Sequence, residues 1–173
     1  MPRGFPLFVI GFCLLILLCW IGLSITHQDR TIDTEITIAA PPEAVWRILT
    51  DTGNYAMWNP FILTLSGTLS EDEKLHVTIR PPGDSEMDFM ARILTITPNR
   101  ELAWRGGLPV PGLFTGDHRF VLEPTGDGRT KFKQSENFYG LLVGPLFAGM
   151  LDRTEIGFRA MNEALKARCE SHP

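Results

Sequence analysis

Four clusters of turn-forming residues constrain the centre of this chain: Ser70-Glu-Asp-Glu, Pro81-Pro-Gly-Asp, Pro98-Asn-Arg and Pro124-Thr-Gly-Asp-Gly. Proline presets a turn dihedral and glycine reaches conformations closed to other residues, so each cluster reverses the chain within a few residues. The stretches between them read as successive antiparallel strands, near 62–69, 74–80, 87–97, 101–105, 116–123 and 129–139. One connection departs from the pattern. Residues 106–115, GGLPVPGLFT, carry Leu108, Val110, Leu113 and Phe114 where loops normally face water.

The segments on either side complete the outline. Residues 31–40 alternate, with Ile32, Ile36 and Ile38 on one face and Asp33, Glu35 and Thr37 on the other, a half-buried strand. Pro41-Pro42 ends it and opens a short helix, in which Val45, Trp46 and Leu49 share an apolar face. Asp51 to Asn54 breaks that helix, and an aromatic connector, Tyr55 to Trp58, follows. The last segment, entered through Gly144 and Pro145, spaces Phe147, Met150, Leu151, Thr154, Phe158, Met161 and Leu165 by threes and fours, giving one long apolar-striped helix. A twisted antiparallel sheet must cover its apolar face, and only this helix is large enough. The predicted class is α+β, a curved antiparallel sheet wrapped around a long C-terminal helix. The space left between them is the natural ligand cavity.

The N-terminal region has a different character. From Gly4 to Thr26 no ionisable side chain occurs except cysteine. As a helix, about 20 such residues rise roughly 30 Å, the thickness of a bilayer core. A transmembrane anchor and a cleaved signal peptide are the two readings; length and the lack of a small-x-small cleavage site favour the anchor. The expected organisation is an anchor with a short tether over residues 1–30 and one domain over 31–173. Arg3 precedes the run and Asp29, Arg30 and Asp33 follow it, which leans toward an extracytoplasmic domain on a single-pass membrane protein.

Charge and cysteines narrow the partners. Net charge is -4, and no dense Lys/Arg run occurs, so no nucleic-acid partner is expected. Arg129, Lys131 and Lys133 alternate along one strand as a solvated face. Cys13 and Cys19 lie six apart on different helix faces and cannot pair, which leaves Cys169 as the one cysteine of the domain. The histidines, His27, His76, His118 and His172, form no metal-ligand spacing with cysteine, so no metal and no cofactor are expected. The sequence sets no oligomeric state.

The run from Ile36 to Pro60, ITIAAPPEAVWRILTDTGNYAMWNP, resembles the opening of the SRPBCC, or START-like, helix-grip superfamily. The run from Thr115 to Val143, TGDHRFVLEPTGDGRTKFKQSENFYGLLV, resembles its polyketide cyclase/dehydrase-like branch. The resemblance covers about residues 31–167 and lies in apolar and turn positions rather than in a catalytic motif. It implies the helix-grip fold and a hydrophobic partner, since members carry lipids, sterols and other apolar molecules or act as aromatase/cyclases. The apolar leader is a departure from the soluble members.

On this basis the expected function is a membrane-tethered domain holding a hydrophobic small molecule or lipid. The alternative is a polyketide cyclase/dehydratase-like enzyme using the same cavity with His118 as acid/base. His118 alternates in phase with Phe120 and Leu122, so it points to the apolar side. The expected ligand wall is Trp58, Phe61, Met90, Trp104, Phe114, His118, Phe120, Phe147 and Met150, because aromatic and Met side chains suit permissive apolar walls as well as cores. Glu136 and Tyr139 are further polar candidates. The apolar loop 106–115 has two readings: a lid over one end of the cavity, close to the membrane, or a segment folded back onto the core.

Overall fold

The computed structural model describes residues 5–25 and 29–171. Helix α1 is Phe5–Ile25, β1 is Arg30–Ile38, α2 is Pro42–Thr50, and a 3₁₀ segment covers Thr52–Met57. Six strands follow: β2 (Ile62–Ser66), β3 (Lys74–Ile79), β4 (Met87–Thr97), β5 (Glu101–Gly107), β6 (Thr115–Pro124) and β7 (Thr130–Tyr139). Helix α3, Val143–Glu170, closes the chain.

Short turns make β2 to β7 an antiparallel meander, and β1 joins it out of sequence order. The sheet runs β1-β7-β6-β5-β4-β3-β2. The first strand thus pairs with the last, from Arg30 opposite Phe138 to Ile38 opposite Thr130. Between β1 and β2 the chain crosses to the far edge through α2 and the 3₁₀ segment. Pro41 is extended at the helix N-cap, Pro42 occupies the first turn where a missing N–H costs nothing, and Glu43 suits the positive end of the dipole. Val45 and Leu49 are buried one turn apart, while Trp46 is half-buried against the core. The Tyr55 hydroxyl donates to the Leu49 carbonyl at 2.6 Å. Asn59 Oδ1 accepts from the amides of Phe61 and Ile62 and so fixes the entry to β2.

The sheet curves around α3. Leu151, Phe158, Met161 and Leu165 are fully buried along one stripe of that helix, as the three- and four-residue spacing predicts. The polar members of the stripe find partners across the interface. Asn162 Nδ2 donates to the Thr34 hydroxyl at 2.9 Å, and Thr34 donates on to the Gln134 carbonyl at 3.1 Å. Strand β1 also grips α3 near both ends. The Arg30 guanidinium sits 2.7 Å from the Asp152 carboxylate, and the Ala39 amide donates to Glu170 at 2.8 Å.

The side chains described in α1, residues 9–19 with Gly22, are all exposed. Among the described residues no helix is long and apolar enough to cross a membrane. The expected span over 5–25 extends beyond the side chains described. Cys13, Cys19 and Cys169 are free, and only Cys169 is buried.

Two expectations concern stability. A Cβ at Gly157 of α3 would run into the Phe61 ring, so Gly157→Ala should cost about 1–3 kcal/mol in urea unfolding, the range for an overpacked core. Burial pushes the Cys169 thiol up to about 11, with the Glu170 charge adding to it, and burial likewise raises the Tyr55 phenol. Both groups keep their protons in the folded state when the unfolded chain loses them. Their contribution is complete at lower pH, so the urea midpoint should fall from about pH 8.5 upward as unfolded thiol and then phenol ionise. Cys169→Ala should remove the first part of that decline.

Candidate functional site: an apolar cavity with a polar floor

The helix stripe changes character toward the start of α3. Phe147 and Met150 are only half-buried, whereas the residues from Leu151 onward on that face are closed. Between these side chains and the sheet lies a cavity of about 180 Å³. Val77 and Ile79 of β3 and Met87 and Phe89 of β4 form one wall. Phe147, Met150 and Thr154 of α3 form the opposite wall, with Phe61 beside them. Leu108, which is exposed, and the half-buried Phe114 complete the lining.

Strand phase builds the floor. Even-numbered residues of β5, β6 and β7 face the helix, and register aligns Trp104 with His118 and His118 with Glu136 on one cross-strand row. The His118 ring stacks on the Trp104 indole at a centroid distance of 4.4 Å and an interplanar angle of 4°. Edges of Phe120 and Phe158 pack against it at 4.6 and 5.0 Å. His118 is 3% exposed, and its Nδ1 lies 3.1 Å from Glu136 Oε2. Gly116 leaves the space that the Glu136 carboxylate fills, since a Cβ there would collide with Oε1.

Hydrogen bonding orients the imidazole. With Nδ1–H donated to the Glu136 carboxylate, Nε2 is an acceptor, and Gln134 Nε2 stands 3.4 Å from it. Gln134 Oε1 is buried without a partner. Rotating this amide by half a turn exchanges donor for acceptor, so Gln134 can serve an imidazolium as well as a neutral ring. Both ring nitrogens are thus engaged, which leaves the Glu136 carboxylate to face the cavity; of the other polar residues in the lining, Thr154 donates its hydroxyl to the Met150 carbonyl and Asp88 accepts from the Thr78 hydroxyl. Among the described residues no group of three or more His, Cys, Asp or Glu is placed to hold a metal ion.

The structure brings Phe61, Trp104, Phe114, His118, Phe147 and Met150 to the cavity. It places three expected wall residues elsewhere. Met90 is 53% exposed on the convex face, opposite His76, because adjacent residues of β4 point to opposite sides and Phe89 takes the inner position. Trp58 packs its edge on Tyr55 at 5.2 Å, outside the cavity. Phe120 is fully buried beneath the floor, against Trp104 and Phe132. Tyr139 also stands apart, its hydroxyl 3.4 Å from Asp117, which is bound by Arg105 on the convex face. Sequence reasoning left Val77 and Ile79 out of the wall; each is an ordinary strand residue that the curvature turns inward. The loop divides between core and surface. Phe114 folds in against Phe147 and Phe138, at 4.5 and 5.7 Å, while Leu108 and Val110 remain exposed.

A curved seven-stranded antiparallel sheet closed over one long helix, with a cavity between them, defines the SRPBCC helix-grip class. The chain belongs to the family described as polyketide cyclase / dehydrase and lipid transport, whose model matches residues 29–170. Among solved structures it is similar to the Zhui aromatase/cyclase from Streptomyces sp. R1128, with a TM-score of 0.67 and 16% identity, covering 83% of this chain and 94% of that one. It is similar to protein MLL2253 from Mesorhizobium loti at a TM-score of 0.65 and 20% identity, covering 83% and 99%. Norcoclaurine synthase from Thalictrum flavum aligns at a TM-score of 0.63 and 14% identity, covering 86% and 91%. These likenesses establish the shared fold. No curated protein matches the sequence.

The floor makes a quantitative prediction. Removing the imidazole strands the Glu136 carboxylate, whose side chain is only 15% exposed, while a phenyl ring in its place can keep the stack on Trp104. A double-mutant cycle of His118→Phe and Glu136→Gln, read by urea unfolding, should show a coupling of about 1–3 kcal/mol, with the double variant recovering part of the loss of His118→Phe alone. Strictly additive losses would mean that the two side chains do not act as a pair.

Proposed function

We propose that this chain is a membrane-tethered binding domain for a small hydrophobic molecule carrying one polar group. The observation that carries the reading is an apolar cavity whose floor presents a carboxylate held by His118. Apolar walls supply affinity without direction, and one fixed polar group supplies orientation. The volume favours a ligand of one or two rings over a whole diacyl lipid: a dry cavity of about 150 Å³ suffices for benzene, and this one measures about 180 Å³. Support for the tether comes from α1, whose 21 residues include no charged side chain. The uncharged run in the sequence, Gly4 to Thr26, would as a helix of about 20 residues rise roughly 30 Å, the thickness of a bilayer core. The charges flanking α1 favour an extracytoplasmic domain.

A second reading, an enzyme of the cyclase/dehydratase kind, is favoured by the same carboxylate. Because both nitrogens of His118 are engaged, Glu136 is the group placed to accept a proton from a bound substrate, and His118 with Gln134 would position it. In that case Glu136→Gln should abolish turnover while a ligand still binds.

The binding reading is tested with the full chain in phosphatidylcholine nanodiscs and 2-naphthol, a two-ring probe with one hydroxyl. Native mass spectrometry should show a one-to-one adduct. Val77→Phe, which fills the cavity from the β3 wall, should weaken binding at least about tenfold, or 1.4 kcal/mol, with little change in thermal transition. Equal binding by this variant would place the ligand elsewhere.

A further inference from the structure

We infer that the cavity mouth faces the bilayer, so that its apolar rim is seated in the lipid interface and ligand passes directly between cavity and membrane. This rests on the tether proposed above and adds an orientation and an entry route to it.

Three observations meet at one end of the domain. The first is where the tether arrives. Arg30, the first residue of β1, bonds the start of α3 through Asp152 and the Ala148 carbonyl. Five residue steps separate Ile25 from Arg30, a reach of at most about 18 Å. The second is where the cavity opens. Of the residues that line it, Gly107 at the end of β5, Leu108 of the β5–β6 connection and Asp88 of β4 are exposed, and Phe114, Phe147 and Met150 beside the connection are half-buried, so the cavity reaches the surface here. That connection is fastened to the same corner by backbone bonds from Leu141 to Gly112 and from Leu142 to Leu113. Arg30 itself stands opposite Phe138, which lines the cavity. The third is what the rim exposes. Leu108 is 41% exposed, Val110 56% and Leu146 68%, on two elements that adjoin at this corner.

The charges at this end choose the kind of surface. Arg30 is paired with Asp152 and Arg153 with Asp84, so the rim offers no cluster of unpaired cations for anionic headgroups among the described residues. Apolar insertion is the remaining mode, and it suits a neutral, zwitterionic bilayer. Leu108, Val110 and Leu146, exposed to water in isolation, then lose that exposure at the surface that the tether holds within reach. An apolar ligand that partitions into lipid meets an open apolar mouth without crossing bulk water.

The test uses the full chain reconstituted in phosphatidylcholine vesicles, with Cys13→Ala and Cys19→Ala removing the exposed thiols. A fluorophore is placed on Val110→Cys or, as a control, on Ser70→Cys in the exposed turn between β2 and β3 at the other end of the sheet. Both sites are exposed, so labelling leaves the core untouched, and the thermal transition verifies it. Quenching by lipids carrying a nitroxide on the acyl chain should be several-fold stronger at residue 110 than at 70, consistent with a depth of about 5–10 Å at the headgroup boundary. If the protein floats with the vesicles and the two labels are quenched equally, the tether stands and the docked orientation is wrong. If it does not float, the tether and the orientation fall together.

Discussion

The fold depends on β1 gripping α3 along its length. The strand touches the helix at Asp152 through Arg30 and at Glu170 through Ala39. Eighteen helical residues rise about 27 Å, and nine strand steps advance about 30 Å, so the two elements match in span. Because β1 also pairs with β7 over its whole length, it fixes the helix relative to the sheet edge. The rest of the sheet then curls to reach the buried stripe of α3. Toward the start of the helix the curl falls short of Phe147 and Met150, and the shortfall is the cavity.

That geometry explains why polar groups survive in the interior. His118, Gln134 and Thr34 of the sheet lie under the helix and Asn162 faces them from it, linked in part by bonds that run from α3 to β1, from β1 to β7 and from β7 to β6. A buried polar atom without a partner is costly, yet Gln134 Oε1 and Asn162 Oδ1 have none. The orphaned glutamine oxygen is matched by a use: it is the acceptor that a protonated His118 would need. The floor is thus a cross-strand row whose members hold one another, and Glu136 is the member that meets whatever enters.

Much of this is legible in the amino-acid sequence. Turn clusters placed the strands to within a few residues because proline and glycine leave the backbone little choice. The helical stripe announced α3. The row of site residues was partly readable too. Folding the sequence about Gly126-Asp127-Gly128 pairs His118 with Glu136, as their register shows. Single-strand periodicity alone did not decide between neighbours in β4. Phe89 and Met90 are both apolar, and the phase set by Ala91 and Ile93 puts Phe89 inside. Trp58 and Phe120 were misplaced for a different reason. Their side chains are apolar enough for a ligand wall, and only three-dimensional curvature separates wall from core. Strand β1 was recognised as a strand, but its partner 100 residues away left no mark in local sequence.

The pairing of the first strand with the last also orders events during synthesis. At roughly 5–20 residues per second, the ribosome reaches β7 some seconds after β1 has emerged. Throughout that interval the Ile32 and Ile38 face of β1 has neither its sheet partner nor its helix. It is an open, half-apolar edge of the kind that invites pairing with other chains. Contacts of such long sequence separation form late. Nascent β1 must therefore be sheltered until the last hairpin is complete, and its interleaved Asp33 and Glu35 oppose self-association in the meantime.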